Sequence, residues 1–263
     1  VFGFDGPSYG PEQFANVQLY PRQAKSRSIF GGADVAEFDW ENASLSARDY
    51  LSDGKAVKSR AVADSRTFER ENLYPYNAPQ LAGLKDGKKL LVWIDDLGTK
   101  DGINKTSLMY SVYDGQTWSS PQELAGTGGA NDYPAVYSDG EKAWVVWQKA
   151  GEMPGDATLP ELLSGVDLYL AVWENGAFGD AVQLTSENNA YEMLQCVAAQ
   201  DGRIGIAWVE NSENDPFQSA GTNTIKMKEY IDGGWQERTL ASGLDSAANL
   251  NLAYSNGEPI LAY

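Results

Sequence analysis

The feature that most constrains the fold is a pair of tight turns that recurs along the chain. A first Asp-Gly or Asn-Gly turn leads into an apolar run ending in Trp or Tyr, and a variable loop, another apolar run and a second such turn follow. The first turns begin at Asp86, Asp139, Asp201 and Asn256, which are 53, 62 and 55 residues apart, and the second turns begin at Asp114, Asn175 and Asp232. Asp-Gly and Asn-Gly between apolar runs favour β-hairpins, so each unit contains two hairpins. Four antiparallel strands at this period are typical of a β-propeller blade.

Three units are complete and align with one another. Their second strands end at Trp93, Trp147 and Trp208. The predicted fold class is therefore all-β, a β-propeller of four-stranded antiparallel blades. We predict clear blades over residues 79–124, 133–184 and 193–240.

The two ends of the chain read as halves of one blade. Residues 1–14 begin inside the pattern of a third strand and turn at Asp5-Gly6, and residues 249–263 end on a second strand with Tyr263 at the Trp position. We therefore expect a composite closing blade made from both termini, since closure removes exposed sheet edges.

The stretch between the first half blade and the complete units is harder to interpret. Residues 15–75 are predicted to be a degenerate blade or an insertion, with turns at Gly31-Gly32 and Asp53-Gly54. A helical insertion fits residues 41–64 about as well. The prediction is five blades in a single domain over residues 1–263, and the alternative is an excerpt of a ring of six or seven blades.

Composition narrows the choice of partners. The chain carries 20 Lys and Arg against 37 Asp and Glu, a formal charge of −17. This field repels phosphate backbones and anionic lipids, so we expect no nucleic acid partner. No apolar run approaches the roughly 18 residues of a membrane span, and no membrane insertion is expected. One Cys and no His exclude an intrachain disulfide and Ser-His-Asp or Cys-His catalysis, and they argue against zinc.

Residues 111–118, at the second turn of the first complete unit, read SVYDGQTW. This run resembles the Asp-box, Ser-x-Asp-x-Gly-x-Thr-Trp, of bacterial sialidase (neuraminidase) repeats, although Asp114 and Gly115 are adjacent here. The resemblance implies a sialidase-like β-propeller, and in that family the box is a structural turn. Sialidases also clamp a carboxylate with three arginines. Arg203 and Arg238 do not fall on a predicted binding loop, and the other arginines lie in the degenerate amino-terminal stretch, so we do not extend the resemblance to sialidase activity.

The loops opposite the hairpin turns are long and differ from one another, over residues 95–106, 148–166 and 210–224. Variable loops on a rigid scaffold usually carry binding, and aromatic rings combined with carboxylates suit sugars. The predicted ligand-binding residues on this long-loop face are Trp93, Asp96, Asp132, Tyr133, Trp147 and Trp208. The competing interpretation is that the Trp residues pack between blades and the acids are solvated.

Carboxylates are the catalytic groups that remain once histidine is excluded. Glycoside hydrolysis needs only two Asp or Glu side chains across a cleft. The candidates are Asp95, Glu192 and Glu210, and no motif selects a pair among them. No cofactor is required, but calcium prefers hard oxygen ligands, and its candidate ligands are Asp95, Asp96, Glu213 and Asp215.

We predict from these features a secreted or surface-attached bacterial propeller that binds a glycan or surface protein through its long-loop face without catalysis. A chain without disulfides is compatible with the cell surface and equally with the cytosol. The first alternative is a glycoside hydrolase or lyase that uses two loop carboxylates. The second is a protein-binding scaffold or adhesion module. An enzyme should have a cleft with a carboxyl group of raised pKa, whereas a scaffold should have a broad apolar patch.

Overall fold

The architecture was obtained from a computed structural model of the chain. It describes residues 33–39, 44–50, 62–69, 77–96, 102–186 and 190–263. Within these ranges the chain is all-β and its sheets are antiparallel, with one short α-helix, α1 (Leu159–Ser164). No helix in the described ranges is both long enough and apolar enough to span a membrane.

The first sheet lies in the stretch that the sequence left ambiguous. Sheet 1 consists of β1 (Ala33–Asp39), β2 (Ser44–Tyr50) and β3 (Val62–Glu69), paired in that order. The described parts of residues 41–64 are therefore strand, and the helical alternative is wrong for them. The predicted turns at Gly31-Gly32 and Asp53-Gly54 and the half blade over residues 1–14 lie outside the described residues.

The three complete units form sheets of the predicted kind. Sheet 2 consists of β4 (Gln80–Gly83), β5 (Lys89–Asp96), β6 (Thr106–Tyr113) and β7 (Gln122–Glu123). Sheet 3 consists of β8 (Ala130–Ser138), β9 (Ala143–Ala150), β10 (Val166–Glu174) and two short strands that both pair with β10, β11 (Ala177–Phe178) and β12 (Val182–Gln183). Sheet 4 consists of β13 (Glu192–Gln200), β14 (Arg203–Asn211), β15 (Asn223–Ile231) and β16 (Gly234–Leu244). The prediction of four-stranded antiparallel sheets is confirmed for sheets 2 and 4, and in sheet 3 two short strands pair with β10 where a single fourth strand was expected.

The chain ends in a two-stranded sheet. Sheet 5 consists of β17 (Asn251–Ser255) and β18 (Glu258–Ala262). The first strands of successive sheets are neighbours in space: β4 lies beside β8, β8 beside β13, and β13 beside β17.

The turns form because their residues tolerate positive φ. Asn175, Asp201, Asp232 and Asn256 have φ between 51° and 55°, and a glycine with positive φ follows each. This is the conformation that two-residue hairpin turns require. At the Asp-box-like run, the Asp114 carboxylate instead accepts the backbone N–H groups of Gln116 and Thr117 at 2.8 and 2.7 Å, so this run is a structural turn.

The sheets are held together by the Trp residue that each complete unit carries on its second strand. Trp93, Trp147 and Trp208 are each at most 1% exposed. Trp147 packs in one core with Leu90 and other residues of sheet 2, and Trp208 packs with residues of sheet 3. Sheets 3 and 4 therefore each bury a face against the sheet before them.

One glycine sits at a particularly close approach between the loop before β8 and the end of β9. Gly129 has φ of +85°, and a Cβ atom there would lie 2.1 Å from the carbonyl oxygen of Ala150. Gly176 has a similar φ of +89° but has open space around it. An alanine at either position would have a strained backbone, but only an alanine at position 129 would also overlap with neighbouring atoms.

We expect Gly129→Ala to lower the free energy of unfolding by about 3 kcal/mol, because left-handed strain of about 1–2 kcal/mol adds to overpacking of about 1–3 kcal/mol. Gly176→Ala should lose only the strain, about 1–2 kcal/mol. Denaturant titration of both variants measures the difference. Equal losses would mean that the backbone at residue 129 relaxes without cost.

Candidate functional site

A group of polar and aromatic side chains lies where the first strands of sheets 3 and 4 begin. These strand ends are opposite the first turns of both sheets, on the predicted long-loop face. We call this group the Asp132 cluster. Its members are Asn77, Asp132, Tyr133, Gln148, Tyr191, Glu192 and Gln195.

The backbone that positions the cluster is a bulge repeated in two first strands. The strand register shifts within residues 132–135 of β8 and within residues 193–196 of β13. Inside the bulges, Tyr133 and Leu194 have φ of 49° and 56°. Such conformations cost a non-glycine residue on the order of 1–3 kcal/mol and persist only when the surroundings hold them. Both side chains are partly solvent-exposed, by 46% and 38%.

Side chains from the two neighbouring sheets hold Tyr133 in this conformation. The Asn77 side-chain oxygen accepts the Tyr133 backbone N–H, and the Gln195 side chain donates to the Tyr133 carbonyl oxygen. The Asn77 side chain also donates from Nδ2 to Asp132 Oδ1 at 2.9 Å. Asn77 therefore fixes both the backbone at Tyr133 and the carboxyl group of Asp132.

Gln148 connects the two bulges. Its Nε2 donates to the Glu192 carbonyl oxygen at 2.8 Å and to Gln195 Oε1 at 3.2 Å, and its Oε1 accepts the Tyr191 hydroxyl at 3.2 Å. Gln148, Tyr191, Glu192 and Gln195 are all buried. The cluster is therefore rigid, as a preorganised site needs to be.

The electrostatics of the cluster centre on one acid. Burial raises the pKa of Asp132 to about 6, and the hydrogen bond from Asn77 offsets only part of that rise. Burial also raises the pKa of Tyr191, and the nearby Tyr133 and Asp132 add to the effect. An acid that titrates near neutral pH is suited to donate and accept protons in catalysis.

Two of the predicted catalytic acids accept hydrogen bonds from buried tryptophans. Trp93 Nε1 donates to Asp95 Oδ2 at 3.4 Å, and Trp208 Nε1 donates to Glu210 Oε1 at 2.9 Å. Each acid follows its Trp by two residues, so both side chains lie on the same face of the strand. This arrangement assigns Asp95 and Glu210 a structural contact, and their catalytic role stays a prediction.

In sheet 3 a different residue accepts the hydrogen bond of the buried indole N–H. The position two residues after Trp147 is Lys149, whose ammonium group cannot accept a hydrogen bond. Trp147 Nε1 donates instead to Asn131 Oδ1 at 3.0 Å. By strand register, Glu192 of sheet 4 takes the place of Asn131. In sheet 4 the Trp208 indole N–H donates to Glu210, and not to Glu192 at the Asn131 position.

The structure separates the predicted ligand-binding residues into two groups. Asp132 and Tyr133 lie together in the Asp132 cluster, whereas Trp93, Trp147 and Trp208 are covered by protein, which favours the packing interpretation. Asp96 lies on β5, where its Oδ2 is 3.6 Å from Lys105 Nζ. These assignments remain predictions.

The predicted calcium ligands do not form one group. The carboxylate of Asp215 accepts the backbone N–H groups of Phe217, Ser219 and Ala220 within its own loop. No set of three or more His, Cys, Asp or Glu side chains in the described ranges is arranged to hold a metal ion. Calcium binding also remains a prediction.

Sequence reasoning missed Asn77, Gln148, Tyr191 and Gln195. A signal was present for the first two. Asn77 and Asp132 each precede an aligned proline by two residues, at Pro79 and Pro134. Gln148 is polar where the residue after Trp is Ile or Val in the other units. Gln195 lies within a bulge, and no periodicity marks it.

Comparison with known proteins finds solved structures of similar fold but assigns the chain to no family. No protein-family model matches the chain. No curated protein matches its sequence significantly. Among solved structures, an α-L-arabinofuranosidase mutant from Fusarium graminearum bound to an iminosugar inhibitor is 14% identical, with a TM-score of 0.55 over 88% of this chain and 70% of that one. An α-L-arabinanase from Penicillium chrysogenum bound to arabinobiose is 11% identical, with a TM-score of 0.50 over 82% of this chain and 65% of that one.

A Trypanosoma rangeli sialidase is also similar, at 13% identity and a TM-score of 0.49 over 82% of this chain and 38% of that one. The chain thus spans less than two thirds of the arabinanase and of the sialidase. The predicted sialidase-like fold is found among these six-bladed propellers, as a remote likeness in fold. Arg203 and Arg238 both contact Glu229, away from the long loops.

The comparison corrects the leading functional prediction. The two similar structures with TM-scores of 0.50 and 0.55, the arabinanase and the arabinofuranosidase, are glycoside hydrolases. That finding overturns the prediction of a non-catalytic binding propeller and supports the glycoside hydrolase alternative instead.

Asp132→Asn should change how stability depends on pH. The pKa of Asp132 rises from 3.8 to about 6 on folding, so the folded state holds the proton more tightly. Ionisation therefore costs nothing below about pH 4 and reduces stability progressively as the pH rises towards 6. At about 1.4 kcal/mol per pKa unit, this cost is at most about 3 kcal/mol.

We expect the free energy of unfolding of Asp132→Asn, relative to wild type, to rise by about 2–3 kcal/mol between pH 4 and pH 7.5. Urea titrations across this range measure it. Asp201→Asn, at an exposed hairpin turn on the opposite face, is the matched control and should keep the wild-type profile. A constant difference between Asp132→Asn and wild type would contradict the raised pKa.

Proposed function

We propose that this protein is a glycoside hydrolase whose proton donor is Asp132. The observation that carries the proposal is the place of this half-buried acid on the long-loop face, where Asn77 Nδ2 donates to its Oδ1 at 2.9 Å and desolvation raises its pKa to about 6. Hydrolysis of a glycosidic bond needs an acid that is protonated at working pH to protonate the leaving oxygen. Asp132 meets this requirement up to mildly acidic pH, and the hydrogen bond from Asn77 fixes one of its two carboxyl oxygens.

We assign the second carboxylate to Glu192. It belongs to the same cluster, and Gln148 holds its backbone carbonyl. In the proposed mechanism, Glu192 acts either as the nucleophile or as the base that activates water, and Asp132 donates and later recovers the proton.

The proposed substrate is a carbohydrate with α-L-arabinofuranosyl linkages. The arabinanase was solved with arabinobiose and the arabinofuranosidase with an iminosugar. A transition state with oxocarbenium character carries positive charge. A chain of net charge −17 provides a field that favours such charge.

For the architecture, we propose five blades, the last completed by a strand pair from residues 1–14 against sheet 5. The described ranges contain five sheets, and sheet 5 has only two strands. The neighbours are six-bladed and this chain covers 65–70% of the two arabinan-related enzymes, so the alternative is a longer ring of which this chain is a part. We also propose an extracellular or cell-surface location, because polymeric carbohydrate is found there, and calcium as an optional ligand of the loop acids.

The decisive test is hydrolysis of 4-nitrophenyl α-L-arabinofuranoside and of arabino-oligosaccharides by the purified chain. We expect Asp132→Asn to lower kcat/KM by about 10²- to 10⁴-fold, the range for loss of general acid–base catalysis. Glu192→Gln should lower kcat/KM by at least as much. Asp95→Asn should mainly lower the free energy of unfolding, because Asp95 accepts the Trp93 indole N–H.

The activity of the wild type should also fall as the pH rises above about 6, because Asp132 loses its proton. Asp201→Asn again serves as the control and should keep full activity. Circular dichroism confirms that each variant is folded. Full activity in both Asp132→Asn and Glu192→Gln would contradict the assignment of the two catalytic carboxyl groups. No turnover of any glycoside would contradict the proposed function.

A further inference from the structure

A polar cavity lies beside sheet 4, outside the Asp132 cluster. It is an open depression of about 300 Å³, at the lower end of the range for small-molecule sites. The ends of β14 and β15, the loop between them and the residue before Tyr191 form its walls. The lining residues used below are Ala190, Glu210, Ser212, Asn214, Thr224 and Lys226.

The charges in this cavity are already paired. Lys226 Nζ lies 2.9 Å from Glu210 Oε2 and 3.7 Å from Glu237 Oε1. A charged ligand would have to compete with these ion pairs. A neutral polyol would not, because its hydroxyl groups accept from an ammonium group and donate to carboxylate or hydroxyl oxygens. Ser212 and Thr224 add hydroxyl groups to the wall.

The cavity is connected to the Asp132 cluster through one residue. The backbone N–H of Tyr191 donates to Asn214 Oδ1 at 3.0 Å, and Asn214 lines the cavity. The Tyr191 hydroxyl donates to Gln148 in the cluster and lies close enough to Asp132 for its charge to act on the phenol. Tyr191 therefore forms hydrogen bonds both with a residue that lines the cavity and with a residue of the Asp132 cluster.

We propose that the cavity is a second sugar subsite, which binds a neutral unit of the carbohydrate chain whose scissile linkage lies at Asp132. The proposal rests on the proposed function, and it makes the substrate an oligosaccharide or polysaccharide. Binding energy from this unit would be gained by a chain of several sugars and not by an aryl monosaccharide.

Two variants alter the cavity without touching the Asp132 cluster. Thr224→Val removes one hydroxyl group and keeps the shape, and Ala190→Leu fills the space. The matched control is Thr222→Val, the same change two residues away at an exposed position that does not line the cavity. We expect both cavity variants to raise KM for arabinotriose by about 3- to 10-fold, the equivalent of one lost hydrogen bond. Turnover of 4-nitrophenyl α-L-arabinofuranoside should not change.

Calorimetric titration of arabinotriose into the Asp132→Asn protein measures the same subsite without turnover. Weaker binding in Thr224→Val and Ala190→Leu, with Thr222→Val unchanged, supports the subsite. Equal affinity in all variants overturns it, even if the wild type hydrolyses arabinosides. If no glycoside is hydrolysed but binding still depends on Thr224, the proposed function fails and the cavity stands only as a sugar-binding site. If arabinotriose does not bind, the subsite is overturned, and the proposed function is judged by the hydrolysis assays alone.

Discussion

The rest of the structure depends on the burial of one tryptophan per complete sheet. The Trp147 and Trp208 indoles fill the space between two sheets, and the N–H of each of the three buried indoles is removed from water and needs an acceptor. Sheets 2 and 4 supply an acid two residues further along the same strand face, and sheet 3 supplies Asn131 from the neighbouring strand. Two acids that look catalytic in the sequence are thus tied to packing.

This constraint explains why the candidate site lies where it does. In sheet 3 the polar residue after the tryptophan, Gln148, connects the two strand bulges instead of joining the apolar core. In sheet 4 the Trp208 indole N–H donates to Glu210. Glu192 occupies the position that Asn131 has in sheet 3, where the Trp147 indole N–H donates to Asn131. The site arises where successive copies of the repeat differ, since a fully regular repeat would give every sheet the same contacts.

The sequence predicts the local parts of this fold and not the long-range ones. Hairpin turns such as those at Asn175 and Asp232 are determined by residues that tolerate positive φ, so their positions and the strands beside them could be predicted. The bulges could not, because a shift of register leaves no mark in an apolar pattern. Neither could the pairing of Asn77 with Asp132 or of Gln195 with Tyr133, which joins residues 55 and 62 positions apart.

The same distinction explains why the sequence names Asp132 as a ligand-binding candidate on the long-loop face but does not single it out as a proton donor. Asp132 is one of many carboxylates on these loops, and nothing in the repeat pattern distinguishes it from the others. Its raised pKa comes from desolvation by burial, and the repeat pattern does not encode that desolvation. A carboxyl group acquires a catalytic pKa from what surrounds it. In a repeat protein, those surroundings are set by the positions at which the copies depart from one another.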